Sequence, residues 1–243
     1  MYDSVAELRR SLPVVEVTKP YVFTTVGSDG QPETVTLDGL FGTHPQLVVY
    51  HFMFDPSASA GCPSCSLIGD HIPPLPHLAS RGTAFTAVSR APADKIEAYK
   101  KRMGWAFPWV SSHGGDFNYD FHVSNPRFSD ADAPPAVRDL EWSYNFKTPE
   151  QMRSPALAFL QSVTESPGHS VFVRGGARDE GGVGFGEKGK VYHAYSCYAR
   201  GIERPIGTFT WLDMTPLGRQ DKKGQNGLGF KRRDEYTEED LTG

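Results

Sequence analysis

The sequence predicts an α/β protein: a mixed sheet with helices on both faces, extended by an N-terminal arm and by insertions. Three observations carry this. Residues 46–54 form a run in which both alternating faces are apolar, as in a strand covered on both sides. Strand-like and helix-like patterns then alternate, which makes the first strands parallel. Finally, two strand patterns joined by a glycine-rich connection add antiparallel strands.

The elements follow in chain order. Residues 4–12 have the pattern of one short helix, ended by Pro13. Residues 14–26 are strand-like, interrupted by Pro20, and Ser28-Asp29-Gly30 marks a turn into a returning strand over 33–37. In the run 46–54, Leu47, Val49, His51 and Met53 share one face, and Val48, Tyr50, Phe52 and Phe54 the other. A small-residue loop leads to Cys62-Pro-Ser-Cys65. Leu67, Ile68 and Ile72 are then spaced as in a short helix closed by Pro73-Pro74. Residues 83–89 are a strand. Pro92 and Asp94 suit a first helical turn, Ile96, Tyr99 and Met103 keep helical spacing, and Gly104 is a C-cap. Residues 109–112 suit another short strand. Residues 124–137, rich in Pro, Ala and Asp, are expected as a surface loop, and 154–163 as a helix. The last strands are 171–174 and 191–199. From Gly218 the chain is polar and charged, with little structure of its own expected.

Composition narrows the function. The chain has 243 residues and a formal net charge of -4, so the basic footprint of a nucleic-acid binder is missing. The apolar run 47–54 is far shorter than the ~20 residues of a membrane helix. The N-terminus has no basic-then-apolar leader pattern. Three cysteines are too few, and odd in number, for a disulfide scaffold. A cytoplasmic protein with reduced thiols is therefore expected, with no nucleic-acid or membrane partner.

The informative motif is the C-x-x-C of Cys62 and Cys65. It falls after the central strand and opens the next helix, where a thioredoxin-like fold keeps its redox pair. The helix terminus would lower the pKa of Cys62, the exposed nucleophile, and Cys65, one turn inside, would resolve the mixed disulfide. Pro63 lacks an N–H where no helical partner exists. On this reading residues 1–40 are an N-terminal arm and hairpin, 41–217 the thioredoxin-like domain and 218–243 a polar tail. No cofactor is required. The expected partners are a thiol or disulfide substrate protein or a small thiol, with a homodimer left open.

Other readings compete. Cys62, Cys65, His71 and His77 form a C-x2-C-x5-H-x5-H set for zinc, but the middle spacing is short and three prolines stiffen the path to His77. A thiol peroxidase would carry Pro-x-x-x-Thr-x-x-Cys; Asp55 and Ser59 stand at those places and Pro56 is one residue out of register. A non-catalytic scaffold would use an aromatic cleft of Trp105, Trp109, Phe117 and Tyr119, although core packing is the default for such rings. Residues 184–189 spell G-x-G-x-x-G, but a strand follows where a dinucleotide site needs a helix. His51 either faces and tunes the thiols or is a hydrogen-bonded core histidine. Pro167-Gly168-His169-Ser170 matches the place of the loop that packs on the thiols and usually carries a cis-proline. Cys197, inside a strand, reads as a buried free thiol.

Several words of the chain together resemble the bacterial family catalogued as domain of unknown function 899, described as thioredoxin-like and as predicted dithiol-disulfide oxidoreductases. They include Arg9-Arg-Ser-Leu-Pro13, the run 46–54, Gly61-Cys-Pro-Ser-Cys-Ser66 with Asp70, Ser89-Arg-Ala-Pro92, Arg102-Met-Gly-Trp105, Phe107-Pro-Trp-Val-Ser-Ser112, Asp116-Phe-Asn-Tyr-Asp120 and Leu212-Asp-Met-Thr-Pro216. The resemblance implies the fold and carries over Cys62 and Cys65 as the working pair. Asp70 and Arg90, inside the shared words, join Pro63, His51 and His169 as supporting positions. Cys197 departs from the family pattern, standing where Thr is expected.

Overall fold

The structure, a computed structural model, describes residues 2–129, 131–154, 161–178, 182, 184–220 and 229–242. Helix α1 (Tyr2–Arg10) is followed by β1 (Val15–Glu16) and the hairpin β2 (Val22–Val26) and β3 (Pro32–Thr36). Strand β4 (Gln46–His51) leads to α2 (Pro63–Gly69) and α3 (Leu75–Ala79), then β5 (Thr83–Ser89), α4 (Ala93–Met103) and β6 (Trp109–Ser111). Short helices α5 (Phe117–Asp120) and α6 (Pro149–Met152) precede the hairpin β7 (Gly168–Arg174) and β8 (Val191–Tyr198), and α7 (Gly207–Leu212) and α8 (Glu238–Thr242) close the chain.

Among the described residues the strands form one eight-stranded sheet in the order β1-β8-β7-β4-β5-β6-β2-β3. Strands β4, β5 and β6 are parallel to one another, as strand–helix–strand connections require. β7 runs antiparallel to β4 and β8 antiparallel to β7. This mixed sheet, with a β-α-β unit beside a hairpin, is the thioredoxin-like arrangement. Residues 1–40 are not separate from it: β1 pairs with β8, and β2 joins through β6.

The sheet's centre is apolar on both faces because β4 is. Tyr50, Phe52 and Phe54 enter one core with Cys65, Ile68, Ile96, Tyr99 and Met103. Leu47 and Val49 enter the other with Phe23, Phe41, Val88, Val110, Phe117 and Phe172. Each such large side chain, fully buried, stabilises the fold by roughly 1.5–3 kcal/mol. Helix α4 shows the coupling of pattern to packing. Ile96, Tyr99 and Met103 are its buried residues, on one stripe, and Gly104 ends it at φ +63°.

Some expectations need correction. The 124–137 stretch is not simply a surface loop: Ala133 and Val137 are buried against Tyr119. The described 229–242 part of the tail does not lack structure. Phe230 stacks on Phe209 with ring centroids 5.8 Å apart, and Arg102 binds Asp234 at 2.7 Å and Glu235 at 3.0 Å. Among the described residues, tail charges pair with Arg102 and Asp70 of the body and with one another. Most of the helix expected over 154–163 lies outside the described residues, as does part of the 175–189 connection.

Candidate functional site

The site begins where β4 ends. The Cys62 N–H donates to the Met53 carbonyl at 3.0 Å, so the chain leaves the sheet at Phe54 and returns to it eight residues later. Three charged side chains hold the intervening loop. Asp55 accepts from the Ser57 backbone N–H at 2.8 Å and pairs with Arg90 at 3.1 Å, and the Lys95 ammonium donates to the carbonyls of Pro56 and Ala58 at 2.5 and 3.1 Å. At Gly61 a Cβ would stand 2.6 Å from the Phe52 ring and 2.8 Å from the Tyr99 ring, so only glycine lets the loop pass over the aromatic core.

Cys62 is the N-cap of α2 and Pro63 its first residue, which wastes no donor. The Cys62 sulfur is partly exposed and Cys65 is buried, both as free thiols. A hydrogen bond from Cys65 pulls the Cys62 pKa down to about 6 against the opposing effect of burial, helped by the backbone N–H groups of Cys65 and Ser64 and by the Arg232 charge. Burial and the neighbouring Cys62 sulfur push Cys65 well above the usual thiol range. The Cys65 sulfur also accepts from the Met53 N–H at 3.4 Å. The two thiols are thus unlike: one is partly exposed and readily ionised, the other buried and protonated.

Arg232 has no local sequence signal. Its guanidinium donates twice to the Gly61 carbonyl, at 2.9 and 2.6 Å, and pairs with Glu235 at 2.8 Å. Only the docked C-terminal segment brings this cation beside Cys62. Tyr50 was equally unmarked as a site residue, although strand alternation puts it on the face of Phe52 and Phe54. Its hydroxyl is buried without a hydrogen-bond partner among the described residues, in the core cluster that also holds Cys65.

The other sequence-derived positions divide. Asp70 caps the end of α2, accepts from the Trp105 indole N–H at 2.8 Å and pairs with Arg233 at 3.1 Å, clipping the helix to the body and the tail. Arg90 is 1% exposed, donates to Glu165 and to the Tyr119 hydroxyl at 2.5 Å each, and holds Asp55. It supports the loop from beneath. His169 stacks on Tyr50 with centroids 4.9 Å apart, on the dithiol face.

His51 does not face the thiols. It lies on the opposite side of the sheet, stacked on Phe117 and Phe121, with Nε2 2.8 Å from the Ser170 hydroxyl. Successive strand residues point to opposite faces, so Tyr50 and His51 cannot both face α2. Burial, with smaller contributions from His169 and His193, lowers its pKa to about 3. The aromatic cleft also needs correction. Trp109 is 3% exposed and packs on Phe52 at 4.4 Å, while Phe117 belongs to the other face and Tyr119 to the Arg90 network. These rings are core, not groove. No peptide bond among the described residues is cis, Pro167 included.

The zinc set is not assembled. His71 donates through Nδ1 to the Leu67 carbonyl at 2.7 Å and accepts through Nε2 from the Thr208 N–H at 3.0 Å, and no group of three or more metal-ligating side chains occurs among the described residues. Gly186 and Gly189 adopt positive φ in the loop before β8, with a strand and no helix behind them. Cys197 pairs in register with His169, and burial raises its pKa. No helix of the described residues is long and apolar enough to cross a membrane.

Residues 1–236 match a family described as "Bacterial protein of unknown function (DUF899)". None of the curated proteins matches the sequence. Solved structures similar to the chain include peroxidoxin BcpB from Mycobacterium tuberculosis, at 12% identity and a TM-score of 0.43, covering 80% of this chain and 93% of that one. The mitochondrial 2-Cys peroxiredoxin from Plasmodium falciparum is similar at 10% identity and a TM-score of 0.41, covering 84% and 97%. Xylella fastidiosa PrxQ is similar at 13% identity and a TM-score of 0.39, covering 80% and 89%.

Proposed function

The chain belongs to the DUF899 family, and on that premise we propose that it is a dithiol-disulfide oxidoreductase worked by Cys62 and Cys65. One observation carries the reading: a partly exposed thiol of low pKa caps a helix whose next turn holds a buried thiol of high pKa. That asymmetry is what two-step exchange needs. The Cys62 thiolate attacks one sulfur of a substrate disulfide, forming a mixed disulfide, and the other substrate sulfur leaves as a thiolate that takes a proton. Cys65 then attacks the Cys62 sulfur. The Cys62–Cys65 bond forms, the bond to substrate breaks, and the Cys65 proton ends on the departing thiol. The pair is oxidised by two electrons and the substrate disulfide is reduced. A second thiol, protein-borne or small, returns the pair to the reduced state.

Three cysteines in a chain with no positioned structural bridge suit a reducing compartment such as the cytoplasm. The peroxidase motif lacks its Pro and Thr at Asp55 and Ser59, so a disulfide is preferred over a peroxide as substrate.

The test is alkylation of the reduced protein against pH with peptide mapping. Cys62 should react with a midpoint near pH 6, and mild oxidation should yield a Cys62–Cys65 disulfide. A midpoint near the free-cysteine value of about 8.5 with no such bond would overturn the reading.

A further inference from the structure

The dithiol face contains a polar group that the exchange scheme has not used. Tyr50 is 0% exposed, and among the described residues its hydroxyl makes no hydrogen bond of ordinary geometry. Burying an unpaired hydroxyl is unfavourable, and phenylalanine would fill the same space without that cost. The same strand direction does carry Phe at 52 and 54. Cys65 is buried in the same core cluster as Tyr50, and its sulfur helps to raise the Tyr50 pKa.

We propose that Tyr50 is a catalytic hydrogen-bond donor for the resolving half-reaction, its hydroxyl pairing with the Cys65 sulfur as that sulfur becomes an anion. The proposal rests on the dithiol reading above. As a neutral thiol, Cys65 is a weak acceptor and leaves the hydroxyl unpaired. As a thiolate it is a charged acceptor in a fully buried site, where a donor is worth most. Once Cys62 is tied up in a mixed disulfide, it no longer carries the charge that opposes ionisation of Cys65. The Cys65 sulfur then has the Met53 N–H, already donating at 3.4 Å, and the unpaired Tyr50 O–H of the same cluster is free to join it. Cys65 attacks Cys62, the substrate thiol leaves with the proton Cys65 has given up, and Tyr50 keeps its own proton throughout.

The titratable groups around this pair are Cys62 and Cys65 on α2, His169 on β7, and Tyr144. His169 is held down to about 4 by burial and Tyr144 is pushed up by burial, so neither changes charge between pH 5 and 10. Burial likewise keeps Tyr50 protonated, and therefore a donor, over that range.

The experiment uses the full chain in a Cys197→Ser background, reduced, and mixed with a chromogenic bis(nitrobenzoate) disulfide. The first equivalent of coloured thiol reports attack by Cys62 and the second reports attack by Cys65. Tyr50→Phe should leave the first phase unchanged, slow the second about tenfold and move its pH midpoint upward by about one unit. Its melting temperature should hold or rise, which a structural role for the hydroxyl would not give. A second phase unchanged in rate and pH profile overturns the proposal. A Tyr50-containing protein with no second phase at all overturns the dithiol reading, and the proposal with it. A second measurement needs no variant at Tyr50. Its buried hydroxyl proton should shift in the magnetic resonance spectrum when the pair is oxidised, and an unmoved proton overturns the proposal.

Discussion

Tyr50 and His51 are neighbours in β4, both buried, and each leaves one polar atom without an ordinary partner: the Tyr50 hydroxyl and the His51 Nδ1. They face opposite sides of the sheet. Around Tyr50 lie two unlike thiols, a stacked His169 and, beyond Cys62, the Arg232 cation. Around His51 lie Phe117 and Phe121, and a chain of hydroxyls from Ser170 through Ser196 to His193 at 2.7–2.8 Å steps. The same kind of unsatisfied atom therefore means different things. Beside an ionisable sulfur it is a donor held ready for charge that develops in a reaction. Between phenyl rings it is a cost of packing that holds the imidazole neutral.

The strongest test of this contrast removes the thiols one at a time. Cys62→Ser should abolish exchange with a small disulfide, a loss of at least about a hundredfold, because the nucleophile is gone. Cys197→Ser should leave the rate within about twofold, since that thiol, although on the dithiol face, sits in β8 away from any helix terminus and its pKa is raised by burial. Stopped assays on the two variants decide it. If Cys197→Ser lost as much as Cys62→Ser, the reactive centre would have to be relocated.

Acid stability should report the burial of two histidines, one on each face. His51 and His169 are held neutral by burial, at about 3 and about 4, while an unfolded histidine titrates near 6.5. Below pH 6.5 the unfolded chain binds more protons than the folded one. Stability should therefore be full above pH 6.5 and fall as the pH drops toward 3. The His51 contribution is roughly 3–5 kcal/mol across that window. In His51→Phe, denaturant titrations should show a shallower fall over the same range, with the Cys62 alkylation midpoint unmoved. A moved midpoint would mean that the two faces are coupled.

The smallest effect belongs to the tail. Arg232→Gln removes a cation that ranks behind the hydrogen bond and the backbone donors in lowering the Cys62 pKa. The alkylation midpoint should rise by roughly half a unit, and high salt should narrow the difference from the parent protein. An unchanged midpoint would make the docked segment a structural clamp and no more.

The dithiol could be located from residues alone because its signals are local. The double-faced apolar run identifies β4 as central, Pro63 fits a helix start, and the three-residue spacing puts both sulfurs at one helix end. The direction of His51 was not readable. A period of two separates the faces without saying which one the helix covers. Trp109 misled for a related reason, since an aromatic ring reads the same whether it lines a groove or fills a core. Trp109 is core because the α4 ring of Tyr99 and the β4 ring of Phe52 close over it.

What the sequence determined by itself is what near neighbours in the chain decide: the alternation of strand and helix, the cap at Gly104, and the cysteine pair at a strand-to-helix junction. Tertiary structure alone decided what depends on distant segments meeting. Arg232 reaches the carbonyl of Gly61 across 171 positions, and a hairpin near the N-terminus joins the sheet through β6. The physical reason is that local propensities and caps act over one turn or one strand. Charge pairing and burial act only once the fold has closed the loop between their partners.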